Sequence, residues 1–272
     1  MESIPQPCTP LNLLRLVVCG ARGRMGRTVA DLALTCPDIE LMGGIEHPSS
    51  ADIGQRLGAG ILSSDLTQLI PRADVVIDFS TPGAALSHLQ LALAHAKPFV
   101  LGVTGFDPEQ ERRIREASLE IPIVYAPNFS VGMTVLLELV ALTAKWLGPE
   151  FDTEILEIHH RNKKDAPSGS ALRLAQVIGQ ATGRTDIVCG RHGQDLPKPL
   201  EQIGLSAVRS GDTVGEHWVL FGTDGERLEL VHRVSNRKAF AQGALAAARF
   251  IAKQKPGLYS MTQVLGIQPL GS

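Results

Sequence analysis

The sequence predicts an α/β fold in two parts: a doubly wound, parallel sheet and then an α+β domain with an open, largely antiparallel sheet. Three observations lead to this prediction. Short apolar strands alternate with helices from residue 15 to residue 125, the pattern of a parallel sheet covered by helices. A glycine-rich turn joins the first strand to the first helix. Between residues 203 and 234, strands with polar faces follow one another through turns, as in a sheet with one solvated face.

The first part contains five predicted strands separated by helices. The strands are predicted at 15–20, 39–45, 74–79, 98–103 and 121–125. The helices are predicted at 24–36, 80–95 and 107–118. Apolar residues of the first helix recur at helical spacing. Residues 48–60 are expected to form a loop, and a short helix at 65–70 is expected to stop at Pro71.

The pattern changes after residue 130, which together with the length of 272 residues favours two domains. The later elements are predicted as a helix at 131–147, a long alternating strand at 151–160, a helix starting near Ser170, strands within 203–234 and an Ala-rich helix at 238–252. Gly148 and Pro149 end the first of these helices. We therefore expect an α+β arrangement in this part of the chain.

Composition excludes several classes of function. A net charge of −2 gives no general attraction to nucleic acid, and 4% aromatic residues disfavour stacking on single strands. No apolar run reaches the roughly 20 residues of a membrane span. Residues 1–14 contain no Lys or Arg, unlike a signal peptide, and are expected to form a loose tail. The four cysteines fit neither a zinc site nor a disulfide framework, so we expect a cytoplasmic protein.

Residues 20–26 form the predicted phosphate-binding turn. Their sequence is Gly20-Ala21-Arg22-Gly23-Arg24-Met25-Gly26, spaced Gly-x-x-Gly-x-x-Gly instead of the usual Gly-x-Gly-x-x-Gly. Glu46 follows the second strand, where a carboxylate binds the ribose hydroxyls of NAD. Because that carboxylate repels a 2′-phosphate, we predict NADH as the preferred cofactor, with NADPH accepted if His47, Arg22 and Arg24 offset the repulsion. A glycine-rich turn without a ligand is the alternative.

Three further strand ends are expected at the same edge of the sheet, because ligands bind outside the carboxyl ends of parallel strands. They are Phe79-Ser80-Thr81, Gly102-Val103-Thr104-Gly105 and Ala126-Pro127-Asn128-Phe129. Plain connections between strands and helices are the alternative for each of them.

The segment 157–170 carries the densest set of reactive side chains. It reads Glu157-Ile158-His159-His160-Arg161-Asn162-Lys163-Lys164-Asp165-Ala166-Pro167-Ser168-Gly169-Ser170. Histidine and lysine can supply protons near neutral pH, and Lys163 also offers a cation to a carboxylate. Ser168, Gly169 and Ser170 begin a helix, and their N–H and hydroxyl groups suit an anion. The segment therefore indicates a small, multiply charged acid as substrate; a metal site on the histidine pair and a solvated basic loop are the alternatives.

Four stretches of the chain also carry a resemblance, and they occur in order. They are residues 20–26 (GARGRMG), 128–132 (NFSVG), 157–170 (EIHHRNKKDAPSGS) and 211–217 (GDTVGEH). Together they resemble the 4-hydroxy-tetrahydrodipicolinate reductase (dihydrodipicolinate reductase) family, and the third stretch is the most specific. The resemblance covers the chain from about residue 15 to residue 270.

This resemblance implies a domain plan and a reaction. Residues 1–130 with 238–272 would form a Rossmann-like dinucleotide-binding domain, and residues 131–237 a substrate-binding domain that also builds a homotetramer. Hydride from NAD(P)H would reach C4 of the substrate ring after loss of the 4-hydroxyl group. The product would be tetrahydrodipicolinate, in the diaminopimelate route to lysine.

No metal is expected, because no His-Glu-x-x-His motif or carboxylate triad accompanies the histidine pair. The resemblance also implies roles for single residues. His159 would be the proton donor and acceptor, and Lys163 the proton donor. The substrate would be held by His160, Ser168, Gly169 and Ser170. The cofactor would be lined by Gly20 to Gly26, Glu46, His47, Gly102, Val103, Thr104, Ala126, Pro127, Asn128 and Phe129.

Two positions depart from the family's pattern. His47 stands where members that favour NADPH often have Arg, in agreement with the predicted preference for NADH, and Ser170 stands where Thr is common. Domain closure is expected about hinges near residues 130 and 237, with Arg237 as a candidate contact to cofactor or substrate. Another imine reductase or amino-acid dehydrogenase, and a non-catalytic NAD-responsive binding protein, are the alternative functions.

Overall fold

The computed structural model describes residues 13–193 and 197–268, so nearly all of the predicted tail lies outside the described residues. The described chain forms two compact units. The first contains the chain up to Ala126 together with Ala241–Val264. The second contains Pro127–Phe240 and the residues from Leu265 onward.

The helices and strands are numbered along the chain. They begin with β1 (Leu14–Cys19), α1 (Arg24–Ala33), β2 (Ile39–Ile45), β3 (Arg56–Leu57), β4 (Gly60–Ser63), β5 (Val75–Asp78), α2 (Pro82–Ala94), β6 (Phe99–Leu101), α3 (Pro108–Ala117) and β7 (Pro122–Tyr125). They continue with α4 (Val131–Leu147), β8 (Asp152–His159), α5 (Gly169–Thr182), β9 (Asp186–Cys189), β10 (Gln202–Arg209), β11 (Gly215–Thr223), β12 (Glu226–Val234), α6 (Lys238–Ile251), β13 (Gly257–Tyr259) and α7 (Met261–Val264).

The first unit is built on an eight-stranded sheet with the order β13-β7-β6-β5-β1-β2-β4-β3. Its pairings are parallel except that of β3 with β4. The central strands are apolar on both faces, and Val17, Val76 and Phe99 are completely buried. A parallel sheet needs helices on both faces, which is why these strands lack a polar side. The predicted α/β class is confirmed.

Two local predictions in this unit are wrong. The predicted loop at 48–60 contains β3 and begins β4, which form a short hairpin at the sheet edge. The predicted helix at 65–70 is instead two 3₁₀ turns, Leu66–Gln68 and Ile70–Arg72. Pro71 lies in the first turn of the second one, because its fixed φ and missing N–H suit a helix start.

The second unit has a five-stranded sheet with the order β12-β11-β8-β10-β9. Strand β11 runs antiparallel to β12 and β8, whereas β10 runs parallel to β8 and β9. Ile155, Val219 and Phe221 point to one face and are buried in a core with residues of α4 and α5. On the other face, Trp218 of β11 and its partner Val231 of β12 remain partly exposed. The sheet is therefore open, with helices on one face only, as the second part of the fold prediction requires.

After the second sheet, Ala241–Val264 return to the first unit. Helix α6 buries Ala244, Leu245 and Ala248, and Arg249 pairs with Asp38 at 2.6 Å. Strand β13 then adds to the sheet beside β7. None of the helices in the described ranges has the length and apolar character needed to cross a bilayer.

Candidate active site

The glycine turn in the first unit has no room for a side chain at Gly20 or Gly26. Gly20 has a φ of +70°, and a Cβ there would lie 2.8 Å from the carbonyl oxygen of Phe79. A Cβ on Gly26 would lie 2.0 Å from the carbonyl oxygen of Gly20. The Gly23 N–H donates a hydrogen bond to the Gly20 carbonyl at 3.0 Å, which closes the turn. No side chain caps α1, the helix that follows. The turn thus presents a close-packed backbone and an uncapped helix start, which suit a pyrophosphate.

Glu46 lies directly against this turn. Its carboxylate accepts hydrogen bonds from the Arg22 backbone N–H at 2.8 Å and from the His47 N–H at 3.0 Å. The Arg22 side chain turns away and pairs with Asp52 at 2.7 Å. The His47 ring lies 2.7 Å from the hydroxyl of Ser49. Arg22 and His47 therefore already have polar partners, whereas the carboxylate is fixed in place by backbone donors.

Two of the other predicted strand ends, 79–81 and 102–105, contact each other through the ring of Phe79. A Cβ on Gly102 would lie 2.1 Å from the Phe79 ring, so the glycine lets the ring pack on this backbone. Gly20 packs on the backbone of the same residue. Gly102 follows β6, as do Val103 and Thr104. Ala126 follows β7, and its N–H bonds the Leu101 carbonyl at 3.2 Å. The first unit brings these predicted cofactor residues to one sheet edge, whereas Pro127, Asn128 and Phe129 belong to the second unit.

In the second unit, Glu157 and His159 lie on the same face of β8. Glu157 is completely buried. Its carboxylate accepts hydrogen bonds from His159 Nδ1 at 2.5 Å, from the Ser168 N–H at 3.0 Å and from two Arg209 nitrogens at 2.8 Å each. Burial by itself raises the pKa of Glu157, but the hydrogen bonds from His159, Arg209 and Ser168 outweigh it and lower this pKa to about 2. Glu157 is thus a buried carboxylate that fixes His159 through Nδ1.

A second histidine packs on this pair. The ring of His217 meets that of His159 edge to face, with centroids 5.2 Å apart. Burial, reinforced by the charge of His159, lowers the pKa of His217 to about 3. His217 Nε2 also lies 3.3 Å from the hydroxyl of Ser168. At neutral pH His217 is therefore an uncharged spacer between His159 and the start of α5.

The start of α5 contains the three residues of the predicted anion site, Ser168, Gly169 and Ser170. The Ser168 hydroxyl accepts the Ala171 N–H at 3.2 Å and so caps the helix. The Ser170 hydroxyl accepts a hydrogen bond from the amide of Asn128 at 3.0 Å. Gly169 between them is exposed. These contacts hold both hydroxyls at a helix N-terminus, where N–H groups and the helix dipole favour a carboxylate.

Lys163 and His160 lie in the loop that joins β8 to α5. The Lys163 N–H bonds the carbonyl of His160 at 3.1 Å, which makes a turn. The Lys163 ammonium pairs with Asp165 at 2.9 Å and keeps 22% of its side chain exposed. His160 is half-buried. Lys163 is thus a partly buried cation that Asp165 holds in this loop.

The sequence did not assign roles to Glu157, Arg209 or His217. The sequence does contain a signal for Glu157: it lies two residues before His159 on a predicted strand, so the two side chains share a face. The other two come from strand pairing: Arg209 lies opposite His159, and His217 lies opposite Glu157. Such pairings depend on sheet register, which the sequence alone does not reveal.

The metal alternative finds no support at the histidine pair. Across the described part of the chain, one group of three ligand-type side chains has metal-like spacing, and it is Cys19, Asp78 and His88 in the first unit. His159 and His160 are not in it.

Comparison with known proteins agrees with this geometry. The family model described as dihydrodipicolinate reductase, N-terminus, matches residues 14–129, and the one described as the C-terminus matches residues 132–265. The chain belongs to the dihydrodipicolinate reductase family. The resemblance inferred from the four sequence stretches is thereby confirmed.

Individual relatives of the family match over nearly their full length. The 4-hydroxy-tetrahydrodipicolinate reductase of Myxococcus xanthus is 45% identical over 268 residues, covering 94% of this chain and 99% of the relative. The enzyme of the same name from Aquifex aeolicus is 45% identical over 264 residues, covering 93% of this chain and 99% of the relative. Among solved structures, a dipicolinate-bound dihydrodipicolinate reductase from Paenisporosarcina sp. TG-14 superposes with a TM-score of 0.78 at 25% identity, covering 94% of this chain and 100% of that one.

Proposed function

We propose that this family member is a cytoplasmic enzyme that reduces 4-hydroxy-tetrahydrodipicolinate to tetrahydrodipicolinate with NAD(P)H, in lysine biosynthesis through diaminopimelate. One observation carries the proposal: the buried Glu157–His159 pair adjoins the N-terminus of α5 and the Lys163 loop. Groups that transfer protons thus lie next to a site for carboxylates, as a cyclic dicarboxylate requires. The names and near-complete coverage of the relatives support the same assignment.

The first unit fits a nicotinamide cofactor. Gly20 and Gly26 let the turn pack closely on the backbone of Phe79 and on itself, the uncapped start of α1 offers N–H groups to a pyrophosphate, and Glu46 is placed to accept ribose hydroxyls. The stretches 20–26 and 102–104 would hold the cofactor, together with Ala126 to Phe129. The bound cofactor supplies the hydride. We assign dinucleotide binding to residues 1–130 with 238–272, and substrate binding to residues 131–237.

In the second unit, the predicted site residues have separate roles in substrate binding and proton transfer. The N-terminus of α5, with Ser168, Gly169 and Ser170, binds one or both substrate carboxylates, and His160 assists. As hydride adds at C4, negative charge develops toward the ring nitrogen and C3. Lys163 donates a proton there and stabilises that charge in the transition state.

His159 exchanges protons through Nε2, because Nδ1 is bound to Glu157. Gly215 leaves room for this nitrogen: a Cβ there would lie 3.0 Å from Nε2. The Glu157 carboxylate therefore sets which ring nitrogen faces the reaction, and Gly215 keeps that nitrogen accessible.

We further propose a preference for NADH. The Glu46 carboxylate is held by the Arg22 and His47 N–H groups, while the Arg22 guanidinium is paired with Asp52. A 2′-phosphate would meet an anion, and the Arg22 guanidinium would first have to leave Asp52. NADPH is accordingly the weaker cofactor.

Self-association as a homotetramer is proposed from the open face of the second sheet. Leu156, Ile158, Trp218, Leu220 and Val231 lie on this face, opposite the helices, among charged residues such as Glu154, Glu216 and Glu229. Burying these apolar side chains is favourable, and a second copy offers a matching face. Sedimentation of the wild-type protein and of Val231→Asp tests this. A tetramer that dissociates in the variant supports the proposal, and a monomeric wild type contradicts it. Leu119→Asp, at a residue 79% exposed in the first unit, is the matched control.

The reaction is tested by following NADH oxidation at 340 nm with freshly generated 4-hydroxy-tetrahydrodipicolinate. We expect turnover with either cofactor and a higher kcat/KM with NADH. Absence of turnover with both cofactors would overturn the assignment, and a large preference for NADPH would overturn the proposed selectivity alone.

A further inference from the structure

A buried carboxylate in the first unit has no role in the reaction described above. Asp78 ends β5 and is completely buried in the middle of the sheet. One carboxylate oxygen accepts the Ser80 N–H at 2.8 Å and the Ser80 hydroxyl at 2.6 Å. The other lies 2.7 Å from Nδ1 of His88, on α2. The carboxylate thus ties the first two residues after the strand to the helix that follows.

The segment held in this way shapes the proposed cofactor site. Phe79 lies between Asp78 and Ser80, and its N–H bonds the Cys19 carbonyl at 3.1 Å. Its backbone fills the space against Gly20, and its ring covers Gly102. A shift of Phe79 would therefore move both glycine-containing loops that are expected to meet the cofactor.

Packing alone does not explain why a carboxylate occupies this buried position, Asp78. A buried ionic group contributes little net stability compared with apolar residues of similar volume, because it must first lose its hydration. Its three hydrogen bonds instead specify one conformation of the bend at Phe79 and Ser80. An ionised carboxylate only accepts hydrogen bonds, so the pairing also requires a proton on Nδ1 of His88.

The same side chains, with Cys19, have the spacing of a metal site. Their contacts favour hydrogen bonding instead, since His88 Nδ1 faces the carboxylate directly and Ser80 occupies the other oxygen. Burial, together with the charge of Asp78, raises the pKa of the Cys19 thiol well above its usual value, which disfavours the thiolate that a metal needs.

We propose that Asp78 and His88 are positioning residues for cofactor binding: they fix the Phe79–Ser80 bend so that the two glycine loops present the surface that the dinucleotide requires. This rests on the proposed cofactor site in the first unit. The pair acts through Phe79 and its neighbours, and not by touching the substrate.

The test uses His88→Gln and Ser80→Ala in the full chain. The first removes the ring contact to Asp78, and the second removes the hydroxyl contact but keeps the backbone one. His95→Gln is the matched control, because His95 is an exposed histidine just after the same helix. Binding of NADH without substrate is measured by fluorescence titration. Binding of dipicolinate to the same variants reports on the second unit, and steady-state kinetics separates KM from kcat.

We expect the Kd and KM for NADH to rise about tenfold in His88→Gln and about threefold in Ser80→Ala, the effect of losing roughly one hydrogen bond. The kcat and the Kd for dipicolinate should stay within about twofold of wild type, and His95→Gln should match wild type. A wild-type Kd for NADH in both variants would contradict this proposal alone. Equal weakening of dipicolinate binding would show a general loss of structure and also contradict it. A wild-type protein that binds no NADH would instead overturn the proposed function.

Discussion

Arg209 and Glu157 form a bidentate ion pair, with two guanidinium nitrogens each 2.8 Å from a different carboxylate oxygen. The carboxylate is completely buried, so the pair is shielded from water. His159 donates to the same carboxylate through Nδ1. Because Arg209 keeps Glu157 ionised, it also determines, indirectly, that Nδ1 of His159 carries the proton and that Nε2 is the nitrogen not bound to this carboxylate.

Replacing Glu157 by Gln should impair both catalysis and stability. The amide leaves the Arg209 charge without its anion and no longer fixes the His159 ring. We expect kcat to fall at least about tenfold and the free energy of unfolding to drop by roughly 3 kcal/mol. Steady-state kinetics and urea unfolding measure the two effects.

Glu154→Gln is the matched control for this variant. It lies on the same strand but pairs with Arg191 near the surface, so a change below about 1 kcal/mol is expected. If Glu157→Gln retained the wild-type kcat, the positioning role of Glu157 would be wrong.

The stability of the protein should fall below about pH 6.5 because of His217. Its pKa is 6.5 when unperturbed and about 3 in the folded protein. Between these values the unfolded chain binds a proton that the folded chain does not, so stability is complete above pH 6.5 and declines as the pH falls. The loss should be roughly 2 kcal/mol between pH 6.5 and pH 5.

Urea unfolding as a function of pH checks this, with His217→Gln as the variant and the exposed His192→Gln as the control. The slope between about pH 6.5 and about pH 5 should flatten in His217→Gln only. At lower pH a further loss is expected as Glu157 titrates, because its folded pKa of about 2 lies below its usual 4.5. An unchanged slope in His217→Gln would contradict the prediction.

Lys163→Ala should lower kcat by about 10²–10⁴-fold, the usual cost of losing a general acid. The neighbouring Lys164 is exposed, and Lys164→Ala should change kcat by less than about twofold. Binding of dipicolinate to both variants separates loss of the cation from loss of the proton donor. Near-normal turnover in Lys163→Ala would exclude it as the donor.

Glu46→Ser should shift cofactor preference toward NADPH. Removing the carboxylate abolishes its repulsion of a 2′-phosphate and its hydrogen bonds to the ribose. The ratio of kcat/KM for NADH to that for NADPH should fall at least about tenfold. Asp52→Ser is an informative companion, because it frees the Arg22 guanidinium and should improve NADPH use without weakening NADH. An unchanged ratio in Glu46→Ser would place the ribose contact elsewhere.

Much of the fold could be predicted because its signals are local. The apolar strands of the first unit, the glycine turn and the Ser168 helix start depend on residues adjacent in sequence. The short strands β3, β4, β9 and β13 were missed, since they contain two to four residues each and gain stability only by pairing with a sheet. The prediction that Pro71 ends a helix is wrong because a proline can begin a helical turn as well as end one.

The sequence by itself determined the family and the α/β class and predicted the residues for proton transfer and anion binding, because these inferences depend on residue type and spacing. Only the tertiary structure decided how those residues are held. Strand register placed Arg209 and His217 around Glu157 and His159, and the packing of α2 on the sheet placed His88 against Asp78. Such contacts join residues distant in sequence and form only once the sheets are assembled. Burial then lowers the pKa of His217, since charge is costly away from water unless it is paired.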